Sequence, residues 1–397
     1  MKKVMAVNAG SSSLKFKLYE MPEEEVICSG IAERIGLDDA IFTIKYQGEK
    51  DTQVLPIKDH SVAVQILLDK LISKGIIKSF DEIKATGHRI VQGGKYFAHS
   101  EVFNKDTEDK IESLIPLAPL HNAAHLVGFR AFKSVLPDVP AVAVFDTAFH
   151  QTMEPQDYVF PIPYEYTEKY DIRRYGAHGT SHQYLSQEGL KYLPGVEHPR
   201  MITCHIGSGA SLSAVRDGKC VATSMGLTPL GGIMMGTRTG DIDPSVMKYA
   251  CYCEGKDAEE MFQIFNKKSG LLGVSGVSND SRDVIAAMNE GNPRAKLAYQ
   301  LLVRRIADFI GQYYVRLGGA DLIIFSAGIG ENSPETRELV CEAIKDALGV
   351  EINKEINNSL RGKEGLISTP NSKIKVAVIP TDEEIMIARD AYNMLLK

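Results

Sequence analysis

No part of the chain is apolar over the length a membrane span needs, and the apolar run in "MKKVMAVNAG" stops at Asn8, too short for the core of a secretory leader. Among the six cysteines (Cys28, Cys204, Cys220, Cys251, Cys253 and Cys341) there is no CxxC pair, and Cys251-Tyr-Cys253 has no His or Cys companions at zinc spacing. They read as reduced, mostly buried thiols, which favours a cytoplasmic protein. An excess of positive charge is also missing. The formal net charge of −6 argues against a nucleic acid or an anionic membrane as partner. Neither the GxxxxGK[ST] of P-loop NTPases nor a GxGxxG opening a helix after a strand occurs. Low-complexity segments and long linkers are absent.

What is present is a chain of 397 residues, too long for one compact core and suggesting two domains. Alternating apolar residues predict a β-hairpin over 3–8 and 13–19, followed by further strands with a turn at Asp38-Asp39. Val62, Ile66, Leu67 and Leu71 fall on one face of a helix over 60–74. "ATGHRIVQGG" reads as a strand ending in Gly-Gly, 106–136 as helices broken at Pro116 and Pro119, and "VPAVAVFDTAFH" as a buried strand ending at Asp146. The Tyr- and Pro-rich "YVFPIPYEYTEKYDIRRYGAHGTSH" looks like a connection between domains.

A second strand-turn-strand follows in "MITCHIGSGASLSAVRDGKC". Setting "AGSSSL" (9–14) against "GSGASL" (207–212) matches small residues to small residues and ends both on Ser-Leu, which favours a duplication over chance. Helices are predicted over 281–290 and 294–317. Two strand-turn-helix units then close the chain, one with Ser333 as N-cap and Pro334 at the first helical position. Units of this kind in both halves imply an α/β protein with mixed sheets and a cleft between lobes.

Three Gly-rich turns follow strands, at 8–13, 207–211 and 328–332. Glycine turns punctuate every α/β fold, yet hydroxyl-rich turns with exposed N–H groups also favour anions such as phosphate. Arg89 in "GHRIVQGG" and Arg238 in "MMGTRTGDIDP" sit beside glycines at strand ends. Each is either half of a structural ion pair or a fork for a carboxylate or phosphate. His178, between small residues in "GAHGTSH", suits either a hydrogen-bonded core position or close approach to a ligand. Asp146 ends a buried strand, where open α/β sheets keep their ligands, or it caps the next turn. In "PTDEE", Thr381 and Glu384 have capping-box spacing, leaving Glu383 as the better functional acid.

The strings "NAGSSSLKF", "GHRIVQGG", "LAPLHN", "VFDTAFHQTM", "RRYGAHGTSH", "TSMGLTPLGGIMMGTRTGDIDP", "SAGIGENS" and "PTDEEIMIARD" resemble those of the acetate kinase family in order and spacing, over essentially the whole chain. The resemblance implies two duplicated actin-like ATPase (ribonuclease H-like) lobes, each with a mixed five-stranded sheet, around a nucleotide cleft. The first lobe would comprise 1–150 with the closing helix 384–397 and bind the acceptor. The second, 151–383, would bind nucleotide and carry the interface of a homodimer.

By the same resemblance Ser11–Ser13 belong to the first phosphate hairpin and Gly207–Ser211 to the second. Asn8 and Glu383 would hold Mg²⁺, with Mn²⁺ as a substitute, and Lys15 would approach the phosphates. His205, Ile206, Gly207, Ser208 and Gly209, with Asp280, Ser281 and Arg282 and with Gly328, Ile329, Gly330, Glu331 and Asn332, would form the ATP/ADP site. Arg89 would bind the acid, Arg238 and His178 would stabilise the phosphoryl group, and Asp146 would be the acid/base or orienting residue. Val91, Leu120, Ala177 and Pro229 would line the acyl pocket.

Acetate would be the acceptor in a reversible, Mg²⁺-dependent phosphoryl transfer. A nonenzymatic ATP-binding protein of the same fold is the reading from another class. The sequence departs from the family at four positions: Gln92 for a histidine, Lys95 for a glutamate, Ser208 for an asparagine and Ala177 for a phenylalanine. Loss of a phenyl ring at Ala177 is expected to enlarge the acyl pocket toward propionate.

Overall fold

A computed structural model describes residues 1–119 and 121–397; the Leu120 of the acyl-pocket expectation lies outside the described residues. The chain divides into two compact units, Met1–Phe149 with Asp382–Lys397, and His150–Thr381.

In the first unit β1 (Lys2–Ala9), β2 (Ser13–Met21), β3 (Glu25–Glu33), β4 (Ala40–Tyr46), β5 (Glu49–Leu55), β6 (Ile83–Ile90), β7 (Glu101–Val102) and β8 (Ala141–Phe145) form one sheet. Its order is β5-β4-β3-β2-β1-β6-β8-β7. Met5, Val7 and Ala9 point to the face covered by the helices His60–Ser73 and Asn122–Val135, where a Cβ on Gly128 would stand 2.3 Å from the Ala9 Cβ. The opposite face is closed by the chain's last helix, Glu383–Leu395. Gly87, in register with Ala6, has no side chain to collide with Ile387, whose Cγ2 lies 2.5 Å from where a Cβ would be. With both faces covered, β8 is buried along its whole length.

The second unit repeats the plan with β9 (Arg200–Ile206), β10 (Ala210–Arg216), β11 (Lys219–Thr223), β12 (Leu322–Ser326), β13 (Gly365–Leu366) and β14 (Lys375–Val378), ordered β11-β10-β9-β12-β14-β13. The helix Pro293–Leu317 is amphipathic at three- and four-residue spacing, burying Ala295, Ala298, Tyr299, Leu302, Ile306, Ile310, Tyr313 and Leu317. Asn292 caps its start and Gly318, at φ 67°, ends it.

Strands β3-β2-β1-β6-β8 and β11-β10-β9-β12-β14 share one order and one set of directions: two antiparallel pairings followed by two parallel ones. This is the duplication the two hydroxyl-rich turns suggested. The expected five strands are the common core, and the sheets are wider because the β4–β5 hairpin and two-residue strands β7 and β13 add pairings at the edges. The turns themselves differ by one residue. Four residues separate the paired Ala9 and Leu14, whereas three separate the paired Ile206 and Ala210.

Three local expectations are corrected. The Tyr- and Pro-rich segment is no connection but part of the second unit: Arg174 Nη1 donates to the carbonyls of Thr223 (3.2 Å), Ser224 (2.7 Å) and Met225 (2.8 Å), and the Tyr175 amide donates to Gly226. The turn at 328–332 is a short helix, Ala327–Asn332, because Ala327 adopts φ 63° and folds the chain back directly after β12. The last helix is capped by Asp382, whose Oδ1 accepts from the Ile385 amide at 3.1 Å, rather than by Thr381. Glu384 is instead an ion-pair partner of Lys17, at 3.3 Å. Four of the six thiols are buried and all are free. Among the described residues, no helix is long and apolar enough to cross a membrane.

Candidate active site

In the first unit the hairpin turn is braced from within, Gly10 N donating to Ser13 O at 2.7 Å, and from behind, His60 Nε2 donating to Gly10 O at 2.8 Å. Ser11 and Ser12 are left exposed at its tip. Asn8 and Lys15 are cross-strand partners at its base. Lys17 pairs with Asp382 at 2.9 Å, which joins β2 to the start of the last helix, where Glu383 follows.

Arg89 and Asp146, the ends of neighbouring parallel strands, form a bidentate pair: Nε to Oδ1 at 3.0 Å and Nη2 to Oδ2 at 2.6 Å. Asp146 is 0% exposed. Burial pushes its carboxyl pKa up, against the pull of Arg89, and the charge of Glu383 adds to the rise. Burial also opposes the Arg89 charge, but Asp146 and then Glu383 outweigh it and the guanidinium pKa is raised. Glu383 is therefore near enough to be felt by both.

The segment after Arg89 is pinned. The Val91 amide donates to His125 Nδ1 (3.2 Å), Asn122 brackets Gln92 by accepting from its amide (3.0 Å) and donating to its carbonyl (2.9 Å), and Gln92 Oε1 accepts from the Gly94 amide (2.9 Å). Gln92 thus serves as a buried brace of the Gly93-Gly94 bend.

The second unit gathers three distant segments into one cavity of about 530 Å³. Gly207 and Ser208 come from the hairpin turn, Asn279–Arg282 from the start of the helix Ser281–Asn289, and Gly328, Ile329 and Asn332 from the helix after β12. Ile285 and Ile329 provide apolar wall, while Arg282, bidentate on Asp280 (Nε to Oδ1, 3.0 Å; Nη2 to Oδ2, 2.5 Å), and Arg361, held by Asn332 O (2.8 Å) and Glu335 (3.1 Å), provide charge. His205, Ile206, Gly209, Gly330 and Glu331 do not line it. Glu331 instead braces the backbone, its Oε1 accepting from the amides of Ala327 (2.7 Å) and Thr381 (3.1 Å).

Beside this cavity the Gly209 turn is flanked by two cationic or protonatable groups. A Cβ on Gly209 would lie 3.5 Å from both Arg238 Nη1 and His178 Nε2. Arg238 is largely buried, donates to Pro229 O at 3.2 Å and touches Met235 Sδ at 3.8 Å, and among the described residues it has no carboxylate within ion-pair distance. Burial lowers its pKa. Its loop is fixed by backbone contact: Gly236 N donates to Ser208 O (3.2 Å), and Gly270, at φ 61°, leaves no room for a Cβ, which would fall 2.1 Å from Met235 O. His178 adopts φ 60°, an uncommon conformation for a residue with a side chain. Its ring stacks on His205 (centroids 4.1 Å apart), and its Nδ1 lies 2.9 Å from Ser211 Oγ. Ser211 itself is fully buried, so its hydroxyl faces inward rather than toward the turn's surface. Ala177 is 2% exposed, within the same hydrophobic core as Met225, Ile233 and Met235.

Sequence reasoning missed Asn279, Ile285, Glu335 and Arg361, which carry no motif, and Arg337. That guanidinium is 0% exposed and donates to five oxygens: Gly330 O, Glu331 O, Asn357 Oδ1 and O, and Leu360 O, at 2.7–3.0 Å. It ties one wall of the cavity to the segment that presents Arg361. Burial drops its pKa to about 10.

The fold and cavity define a two-lobed α/β protein with a duplicated sheet and, in its second lobe, a glycine-edged, charged pocket suited to a phosphorylated ligand. The chain belongs to the acetokinase family, whose model matches residues 3–389. It is 53% identical to the acetate kinase of Bacillus velezensis over 395 residues, covering 99% of this chain and 100% of that protein. With the acetate kinase of Geobacillus kaustophilus the identity is 54%, covering 99% of each. The crystal structure of Porphyromonas gingivalis acetate kinase superposes with a TM-score of 0.93 at 44% identity, covering all of both chains. A propionate kinase from Francisella tularensis gives the same TM-score at 40% identity, covering 99% of this chain and 100% of that one.

Proposed function

We propose that the protein is an acetate kinase, a phosphotransferase with a carboxyl group as acceptor, exchanging a phosphoryl group between ATP and acetate to give ADP and acetyl phosphate. The observation that carries the reading is Arg238: a largely buried cation beside the Gly209 turn, with no carboxylate partner among the described residues and full-length relatives named acetate kinase. Full-length identity above one half to those relatives favours acetate over propionate.

A carboxylate acceptor has a pKa of about 4 and needs no base to become a nucleophile. The obstacle is electrostatic, since one anion must approach another, and positioned cations remove it. In this reading Arg89 binds the acid and Arg238 and His178 meet the phosphoryl group, while Lys15 approaches the nucleotide phosphates. The cavity edged by Gly207, Ser208, Asp280–Arg282, Gly328, Ile329 and Asn332 takes ATP or ADP. Asp146, spent on Nε and Nη2 of Arg89, orients that guanidinium rather than abstracting a proton. Val91, Ala177 and Pro229 bound the acyl group. Burial of Ala177 in the core supports a pocket of ordinary size despite the missing ring.

Asn8 and Glu383 are the proposed Mg²⁺ ligands. One carboxylate and one amide oxygen suit an ion that keeps waters and phosphate oxygens as its other ligands, and the negative field of Glu383 at Asp146 fits a cation there. Bound Mg²⁺ would neutralise phosphate charge; Mn²⁺ would substitute. We place the enzyme in the cytoplasm, as its free thiols favour, and as a homodimer, for which the exposed Val246, Tyr249 and Tyr252 of one helix provide apolar surface. The test is incubation with ATP, Mg²⁺ and a panel of short acids and sugars, with hydroxylamine to trap acyl phosphate. Hydroxamate from acetate above propionate is the expected result. Phosphorylated sugar, or ATP binding with no product, would overturn the assignment.

A further inference from the structure

Behind His178 lies a buried chain of hydroxyls and imidazoles that the proposed chemistry does not use directly. Ser211 Oγ stands 2.9 Å from His178 Nδ1 and 2.8 Å from His182 Nε2. On its far side His182 Nδ1 lies 2.7 Å from Thr203 Oγ1, which donates to the Ser213 carbonyl at 3.4 Å. His182, Ser211, Thr203 and Ser213 are all fully buried, so no water competes for these bonds.

A serine hydroxyl has one proton and can give it to only one of two facing nitrogens. The other nitrogen must then carry an N–H directed at the oxygen. The chain's polarity is set at its inner end. With the Thr203 proton given to the Ser213 carbonyl, Thr203 Oγ1 accepts from His182 Nδ1–H. A neutral His182 then has only a lone pair at Nε2. Burial, with the nearby His150 and His205, holds the His182 pKa well below the ordinary imidazole value, so this ring stays neutral. Ser211 gives its proton to that lone pair, and its own lone pair receives His178 Nδ1–H. The proton on His178 is thereby kept at the nitrogen facing away from Gly209. In the neutral ring Nε2, the nitrogen on the Gly209 side, then holds the lone pair, and a second proton taken up there makes the ring cationic toward the phosphoryl group.

We propose that His182 and Ser211 are positioning residues that fix the orientation and tautomer of His178, keeping N–H at its Nδ1. The proposal rests on His178 meeting the phosphoryl group, but its primary readout needs no turnover. It deepens the catalytic reading by giving a role to two residues that cannot themselves reach substrate. It also accounts for the φ of 60° at His178, a strained backbone held where the ring can meet Ser211 while stacked on His205.

The test is ¹⁵N NMR of histidine-labelled full-length protein, wild type, Ser211→Ala and His182→Asn. Asn keeps a polar atom where Nδ1 meets Thr203 and removes the one facing Ser211. In the wild type the His178 Nδ1 signal is expected to be of the protonated type. In each variant it should move toward a mixture of tautomers. The kcat should drop roughly 10²-fold with the KM for ATP unchanged, and the double variant should be no slower than the worse single one, since both cut the same chain. A wild-type His178 with its neutral proton on Nε2, a tautomer unmoved by Ser211→Ala, or losses that multiply would each overturn the proposal. Should His182→Asn fail to fold, Ser211→Ala alone decides it through the Nδ1 signal. If the wild type makes no acyl phosphate, the kinase assignment fails while the tautomer result still stands on its own.

Discussion

The two lobes hold the same five-strand core, yet they treat their arginines in opposite ways. Arg89 is bidentate on a buried carboxylate, so its charge is oriented and largely offset before any ligand arrives. Arg238 is half-buried against a carbonyl and a thioether, so its charge is partly desolvated and uncompensated among the described residues. The first arrangement fixes geometry at little cost in stability. The second stores an attraction for an anion, since a cation deprived of water and partner gains most from a phosphoryl oxygen. Duplication of a sheet has therefore not duplicated a function.

The sharpest way to break this comparison is a pair of alanine variants followed by rate and by urea unfolding. Arg238→Ala should lose about 10³ in kcat with stability nearly unchanged. Arg89→Ala should lose rate and also destabilise the first lobe by about 3–5 kcal/mol, because it strands the buried Asp146. Equal destabilisation by both changes would end the distinction.

Asp146→Asn comes next. It leaves Arg89 in place but poorly held, and kcat/KM for acetate should fall about 10²-fold while both limbs of the pH–rate profile persist. Disappearance of one limb at nearly full rate would instead make Asp146 an acid or base. In the second lobe, Gly270→Ala forces a Cβ into the backbone that carries Arg238. The expected cost is about 1–3 kcal/mol with roughly 10-fold lower kcat, read by melting and by the hydroxamate assay.

The last test touches turnover least and concerns acid. Burial drops the His88 pKa to about 3 from an ordinary 6.5, so the folded lobe keeps this ring neutral while the unfolded chain protonates it. The contribution is whole above pH 6.5 and is lost as pH falls toward 3. His88→Gln should flatten the pH dependence of first-lobe stability across that window by at most ~1.4 kcal/mol per pH unit. An unchanged slope would count against a neutral buried His88.

Much of this was legible in the sequence, and its limits are physical. The hairpin at Gly10–Ser12, the cap at Ser333 and the buried run of β8 depend on neighbours within a few residues, and local patterns record them. The "GIGEN" segment was misjudged because glycines signal a turn, whereas Arg337 and Glu331 bind its backbone and close it into a helix. Arg337 was invisible because a charged residue in an amphipathic helix normally reads as solvated. Arg361 gave no signal because its partners Asn332 and Glu335 are 29 and 26 residues away.

By itself the sequence determined the α/β class, the duplicated hairpins and the family, because turn chemistry, strand burial and motif spacing are written along the chain. Only the tertiary structure decided which arginine is paired, which hydroxyls turn inward and which ring nitrogen faces Ser211. Those outcomes depend on contacts between residues far apart along the chain, such as Arg89 with Asp146, 57 positions apart, and His178 with Ser211, 33 apart. Burial then gives each such contact its energy, by removing the water that would otherwise compete.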